Sequence, residues 1–114
     1  MLSQAMNDRL TRVSPGTPMG TLMRRYWQPI AGSSQLSEEN PTKEIRLLGE
    51  ELVLFRSTAG KLGLIEPSCP HRKANLSYGV PEPEGIRCAY HGWLFDEEGN
   101  CVDQPSEPAG SRFK

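Results

Sequence analysis

Residues 69–93 read CPHRKANLSYGVPEPEGIRCAYHGW and contain both histidines of the chain and two of its three cysteines. These residues form two matched pairs, Cys69-x-His71 and Cys88-x-x-His91, which residues 72–87 separate. Thiolate and imidazole are common protein ligands of zinc and iron. Because each short loop can supply two ligands, the stretch predicts one metal centre with four protein ligands.

The length and charge of the chain limit its possible functions. A chain of 114 residues suits one domain with a modest core. The net charge of −1, from 13 basic and 14 acidic residues, gives no overall footprint for nucleic acid or an anionic membrane. The N-terminus MLSQAMNDRL has no apolar signal core, and no stretch has the length of a membrane span. The sequence therefore predicts a soluble cytoplasmic protein that binds neither nucleic acid nor membrane.

The composition favours a β-rich architecture without a disulfide framework. Three cysteines cannot all pair within the chain, and small disulfide-stabilised domains usually carry an even number. Ten prolines, eleven glycines and a hydrophobic content of 36% indicate many short elements joined by turns.

The N-terminal thirty residues have a different pattern from the rest of the chain. Leu2, Met6, Leu10 and Val13 recur at helical spacing, which predicts a short amphipathic helix. After the break at Ser14-Pro-Gly-Thr-Pro, residues 20–27 are expected to form one or two further helical turns.

The remaining sequence predicts short antiparallel strands. Three apolar runs, EIRLL, ELVLFR and KLGLIE, are separated by turn residues and indicate a meander over residues 44–66. The runs GWLFD and CVDQP flank the turn at residues 97–100 and indicate another hairpin. The two ligand pairs are thus expected on loops that a small sheet presents, and Cys101 is expected to be a small half-buried residue outside them.

Two kinds of metal centre suit four such ligands. A tetrahedral zinc site is one, but zinc modules usually show Cys-x(2–4)-Cys and His-x(3–5)-His spacings. A Rieske [2Fe–2S] centre is the other: two cysteines hold one iron and two histidines hold the second, so each loop supplies one ligand of each kind. The Cys-x-His and Cys-x-x-His pairs meet that second demand.

These residues also carry a resemblance to a known family. The segments CPHR and CAYHGW resemble the cluster signature of Rieske proteins, in particular the aromatic ring-hydroxylating oxygenases. SPGTPMGTLMRRYWQPI resembles the N-terminal part of oxygenase components of the phthalate dioxygenase type, and DEEGNCVDQPSEP resembles their hairpin after the cluster. The resemblance therefore covers nearly the whole chain.

The resemblance implies a role for each ligand of a Rieske-type [2Fe–2S] cluster. Cys69 and Cys88 would bind the inner iron as thiolates, and His71 and His91 would bind the outer iron. Side chains around the cluster are expected to pack rather than react, namely Tyr90 and Trp93.

The resemblance also indicates which branch of the family is closer. Rieske proteins of quinol-oxidising complexes join their loops by a disulfide, at positions that correspond here to Ala74 and Tyr90. They carry a serine, whose hydroxyl donates to a cluster sulfur, where this chain has Trp93. Both differences imply a low reduction potential, on the order of −150 mV rather than +300 mV.

The implied fold is all-β, a small Rieske-type sandwich of short antiparallel sheets with two cluster-binding loops and a short N-terminal helical arm. Residues 1–30 would form the arm and residues 31–114 the Rieske [2Fe–2S] domain, with the C-terminal catalytic domain outside this chain. The chain is expected to be interrupted at Phe113-Lys114, since residues 107–114 contain no stop signal.

The implied function is one-electron transfer as part of a Rieske non-haem iron oxygenase. Electrons would come from an NAD(P)H-dependent reductase or ferredoxin and pass to a mononuclear iron in the catalytic domain, which acts on an aromatic substrate. Full-length enzymes of this type are often homotrimers. The alternative is a free-standing Rieske-type ferredoxin, an electron carrier without catalysis of its own.

Overall fold

The structure is a computed structural model that describes residues 1–112, in which two α-helices, two 3₁₀ helices and seven β-strands are formed. The interruption expected at residues 113–114 lies outside the described residues. The helices are α1 (Gln4–Thr11), α2 (Pro18–Met23) and the 3₁₀ helices Ser33–Gln35 and Leu76–Tyr78. The strands are β1 (Thr42–Leu47), β2 (Glu50–Arg56), β3 (Leu62–Ile65), β4 (Val80–Glu82), β5 (Gly85–Arg87), β6 (Leu94–Phe95) and β7 (Cys101–Asp103).

The first sheet is the predicted meander, with antiparallel strands in the order β1-β2-β3. The hairpin between β1 and β2 turns at Leu48 and Gly49, whose φ angles are +49° and +80°. In a two-residue hairpin, a turn in which both residues have positive φ angles has a twist that matches the twist of the flanking strands. Leu48 was expected in the strand but belongs to this turn.

The second sheet has antiparallel strands in the order β4-β5-β6-β7. The hairpin of β6 and β7 confirms the predicted turn, whereas the hairpin of β4 and β5 was not predicted. It occupies the segment between the two predicted ligand pairs: the second pair follows β5 directly, and the first pair is joined to β4 through the 3₁₀ helix Leu76–Tyr78.

One hydrophobic core joins the two sheets, which confirms the predicted all-β sandwich. Side chains alternate along a strand, so Val53 and Phe55 of β2 point to the same face, and both are fully buried. Ile86 of β5 and Phe95 of β6 are paired across the second sheet and meet them in the core. The same core contains the two cysteines of the ligand pairs and Trp93.

The N-terminal arm lies against the first sheet through a few polar contacts. Helix α1 starts after Ser3, whose hydroxyl accepts the Met6 N–H, and no residue of α1 is buried. Arg24, which follows α2, donates to Glu50 at 2.7 Å and to the Leu48 carbonyl at 3.1 Å. These bonds hold the arm at the β1–β2 turn.

Helix α2 starts earlier and ends earlier than the sequence predicted. Thr17 caps it by accepting the Gly20 N–H, and Pro18 occupies its first position, where a missing N–H costs nothing. The helix ends at Met23, so Tyr26 and Trp27 lie beyond it. Within residues 1–112, neither helix is long and apolar enough to cross a membrane.

Candidate metal centre

The first ligand pair lies in a tight loop, residues 69–74, that two backbone hydrogen bonds close. The Cys69 N–H donates to the Ala74 carbonyl at 2.9 Å, and the Lys73 N–H donates to the Cys69 carbonyl at 2.8 Å. His71 is exposed between them. We call this segment the first loop.

The second ligand pair lies in a loop of the same backbone pattern, residues 88–93, which we call the second loop. The Cys88 N–H donates to the Trp93 carbonyl at 2.8 Å, and the Gly92 N–H donates to the Cys88 carbonyl at 3.0 Å. His91 is exposed in this loop. Each loop therefore begins with a buried cysteine and presents a histidine to solvent.

Both loops place their fifth residue in the left-handed region of backbone conformation. The φ angle is +60° at Lys73 and +79° at Gly92. Glycine adopts this conformation without strain, whereas a side chain with a Cβ does so at a cost. The second loop therefore has the residue that its turn favours, and the first loop carries local strain at Lys73.

The two cysteine side chains meet in the core. Cys69 is 1% exposed and Cys88 is 4% exposed, and both belong to the same hydrophobic core cluster. Burial raises the pKa of the Cys69 thiol, while the backbone N–H groups of His71 and Arg72 donate to its sulfur and act in the opposite direction. Those amides can stabilise Cys69 as the thiolate that metals require.

The two imidazoles meet at the surface. The ring centroids of His71 and His91 are 4.5 Å apart, with the ring planes inclined at 63° in an edge-type contact. Partial desolvation and the nearby His71 and Arg72 lower the pKa of His91. A lowered pKa favours the neutral imidazole, which is the form that binds metal ions.

The aromatic residues of the second loop behave differently from each other. Trp93 is 4% exposed, as predicted, and its indole stacks on His71 of the first loop. Tyr90 contacts the His91 ring at a centroid distance of 3.8 Å but remains 63% exposed. Tyr90 was expected to pack in the same way, but its ring lies at the surface.

The four predicted ligands are thus brought together as two pairs, the thiols inside and the imidazoles outside. Among residues 1–112, no group of three or more His, Cys, Asp or Glu side chains is arranged around a single ion. A binuclear iron–sulfur cluster with two protein ligands for each iron fits this arrangement, since sulfide supplies the remaining ligands. Cys101 lies outside the site on β7, half-buried as expected.

Comparison with known proteins defines the class to which this architecture belongs. Residues 26–114 match the family described as the Rieske [2Fe-2S] domain, and the chain belongs to that family. The family implies a Rieske-type [2Fe–2S] cluster, whose chemistry is the transfer of single electrons.

Individual relatives are oxygenase subunits. The chain is 52% identical over 107 residues to the 5,5'-dehydrodivanillate O-demethylase oxygenase subunit of Sphingobium sp. (strain NBRC 103272 / SYK-6), covering 94% of this chain and 25% of that protein. It is 46% identical over 114 residues to the phthalate 4,5-dioxygenase oxygenase subunit of Pseudomonas putida, covering 99% of this chain and 26% of that protein. The chain thus spans about a quarter of the length of these relatives.

A solved structure supports the same fold. Dicamba monooxygenase with non-heme iron and dicamba aligns with a TM-score of 0.63 and 33% identity, covering 72% of this chain and 24% of that chain. The resemblance to Rieske oxygenases that the sequence predicted is confirmed by these comparisons.

Sequence reasoning missed the residue that supports the second loop from outside. Arg87, directly before Cys88, donates to the carbonyl of Gly92 and to carboxylates on two other strands. Its position beside Cys88 was visible in the sequence. Its partners were not, because Asp103 reaches it only through the fold.

Proposed function

We propose that four residues of the two loops hold the [2Fe–2S] cluster: Cys69, His71, Cys88 and His91. The observation that carries the proposal is the separation of the ligands by burial. The thiols lie in the core, where they would hold the inner iron away from solvent, and the imidazoles lie at the surface. This order suits a centre that exchanges electrons through its histidine side.

The electrons would enter and leave beside His71 and His91. Both side chains are exposed, so a partner can approach them without rearrangement of either loop. An NAD(P)H-dependent reductase or ferredoxin is the proposed donor, and a mononuclear iron in a catalytic domain outside this chain is the proposed acceptor. The complete protein would then be a Rieske non-haem iron oxygenase that acts on an aromatic substrate, as a homotrimer.

The lengths of the relatives favour this oxygenase over a free-standing ferredoxin. The matched oxygenase subunits are about four times as long as this chain, which covers 25% of one and 26% of another. Residues 1–30 would then be an arm on the Rieske domain of residues 31–114. The coding sequence beyond Lys114 distinguishes the two functions, because a ferredoxin requires no catalytic domain there.

Variants of the four ligands test the cluster assignment. The purified protein is expected to be reddish brown, with two irons and two acid-labile sulfides per chain, as one binuclear cluster requires. Alanine at His71 or His91, and serine at Cys69 or Cys88, should abolish the Rieske visible and electron paramagnetic resonance (EPR) spectra.

Cys101→Ser is the matched control, since this cysteine lies outside the site, and it should leave both spectra unchanged. An unaltered spectrum in a ligand variant would show that the residue is not a ligand. A colourless protein that contains zinc would overturn the iron–sulfur proposal altogether.

A further inference from the structure

Arg87 connects the second loop to two strands of the second sheet. Its guanidinium donates two hydrogen bonds to the Glu82 carboxylate of β4, through Nε and through Nη2 at 2.8 Å. Its Nη1 donates to the Asp103 carboxylate of β7 at 2.9 Å and to the Gly92 carbonyl of the second loop. We call these four hydrogen bonds, which join Arg87 to three residues, the Arg87 clamp.

The clamp spans the second loop from one end to the other. Arg87 precedes Cys88 at the base of the loop, and its side chain reaches Gly92, which separates His91 from Trp93. Together with the backbone bonds between Cys88 and the far end of the loop, the contact fixes both ends of the segment that carries His91.

The geometry of the clamp requires the arginine fork. A guanidinium presents donors in a plane and can engage one carboxylate with two of them while others face different acceptors. A lysine ammonium would keep the positive charge but could not hold the same set of contacts in the same directions. The Arg87 and Glu82 side chains are 27% and 31% exposed, so solvent competes only in part with these bonds.

The first loop has a different support. Asn75, just after it, donates to Glu44 of β1 at 2.6 Å and forms a bridge with Ser68, just before it. The contacts that support the first loop are therefore made by the residues on either side of it, Ser68 and Asn75. The clamp, in contrast, contacts a residue inside the second loop, Gly92.

We infer that Arg87 is a positioning residue for the cluster: its side chain sets the place of the second loop, and hence of His91 and Trp93, without binding iron. The inference rests on the proposed function, because its effect is measured on the cluster.

The test compares Arg87→Lys and Arg87→Gln with the unsubstituted protein. All three are expected to contain iron and sulfide. In both variants the EPR signal should broaden, because His91 no longer has one position, and iron should pass to a chelator faster, on the order of tenfold, as the loss of a charge-assisted hydrogen bond predicts. The EPR line shape and the rate of iron release are measured on folded protein, and the urea unfolding of each variant is recorded alongside.

Arg46→Gln is the matched control. Arg46 lies on β1, is 72% exposed and pairs with Glu51 at 3.5 Å. Arg46→Gln therefore removes one positive charge, as Arg87→Gln does, but at a position outside the two loops. This variant should retain the EPR line shape and the iron release rate of the unsubstituted protein.

The outcomes separate the two proposals. If the unsubstituted protein lacks a Rieske signal, the proposed function fails and the inference fails with it. If that signal is present and Arg87→Lys keeps its line shape, the inference alone is overturned, even where stability falls. Should neither Arg87 variant fold, Asp103→Ala, which removes the acceptor of one hydrogen bond of the clamp, is expected to broaden the signal, and an unchanged signal overturns the inference.

Discussion

The imidazole of His71 stacks on the indole of Trp93, with ring centroids 4.8 Å apart and ring planes 5° from parallel. The two residues belong to different loops, so the stack joins the loops directly. The positions at which quinol-oxidising Rieske proteins would place a disulfide hold Ala74 and Tyr90 in this chain. The stacked pair therefore connects two loops that no covalent bond joins at those positions.

Trp93→Ala is expected to destabilise the protein by about 3–5 kcal/mol, because a buried aromatic side chain is replaced by a cavity. Trp93→Phe retains a ring against His71 and should cost less. Urea unfolding of the purified proteins measures both changes. Trp27→Ala is the matched control, since Trp27 is 102% exposed. Equal stability of Trp93→Ala and Trp27→Ala would contradict the packing role of Trp93.

Lys73→Gly is expected to stabilise the protein by roughly 0.5–1 kcal/mol. Glycine removes the cost of a left-handed conformation at φ +60°, and its greater freedom in the unfolded chain offsets part of the gain. Thermal unfolding under one set of conditions compares the variant with the parent protein.

The second loop provides the opposite substitution. Gly92→Ala should destabilise the protein by about 1 kcal/mol, through backbone strain at φ +79°. A steric clash is not expected, because the new Cβ would lie 3.5 Å from Pro105 Cγ, an ordinary contact distance.

A loss of stability in Lys73→Gly would show that the left-handed conformation of Lys73 in the first loop is not strained.

The two pairs of cysteine and histidine, and most strands, could be recognised in the sequence because their signals are local. Cys69 and His71 are close in sequence, and the strands β1 to β3 show apolar runs between turn residues. The assignment of the four ligands remains a prediction, although the fold brings them together in pairs.

The hairpin of β4 and β5 could not be predicted in the same way. Pro81 lies within β4, and proline normally argues against a strand because it lacks an N–H. Here β4 is at the edge of its sheet, where a missing donor is tolerated. Lys73 gave no signal either, since lysine is not a residue that marks a left-handed turn.

Glu82→Gln is expected to remove part of the pH dependence of stability at acid pH. The hydrogen bonds from Arg87 hold the pKa of the Glu82 carboxyl below its usual value. A carboxyl with a lowered folded-state pKa stabilises the protein above its unfolded-state pKa, about 4.3, and this stabilisation is lost as the pH falls through the folded-state value.

The parent protein should therefore exceed Glu82→Gln in stability by about 1 kcal/mol at neutral pH, and the difference should shrink below about pH 4.5. Urea unfolding by tryptophan fluorescence across this range provides the measurement. Glu84→Gln, on the exposed turn of the same hairpin, is the control, and its stability should equal that of the parent protein at each pH. A difference that stays constant with pH would contradict the role of the Glu82 charge.

The reduction potential is expected at the low end of the Rieske range, on the order of −150 mV. Trp93 occupies the position of the serine whose hydroxyl would raise the potential by donating to a cluster sulfur. Protein-film voltammetry of the purified chain measures the potential, and a value near +300 mV would contradict the assignment to the oxygenase branch.

This chain by itself is expected to accept and donate electrons without oxidising an aromatic substrate. Non-haem oxygenases bind their catalytic Fe(II) through two histidines and one carboxylate. The chain has two histidines, His71 and His91, and the proposed cluster requires both. Carboxylates alone do not suffice, and those of Glu97 and Glu98 lie on a hairpin turn between β6 and β7. A second iron site of this kind therefore needs another polypeptide segment.

The measurement is a turnover assay of the purified chain with a reductase, NADH, Fe(II) and a panel of aromatic acids, in which reduction of the cluster is followed by its visible spectrum. Cluster reduction without product is the expected result, and the His71→Ala variant, which should show neither, is the control. Product formation coupled to NADH consumption would refute the prediction.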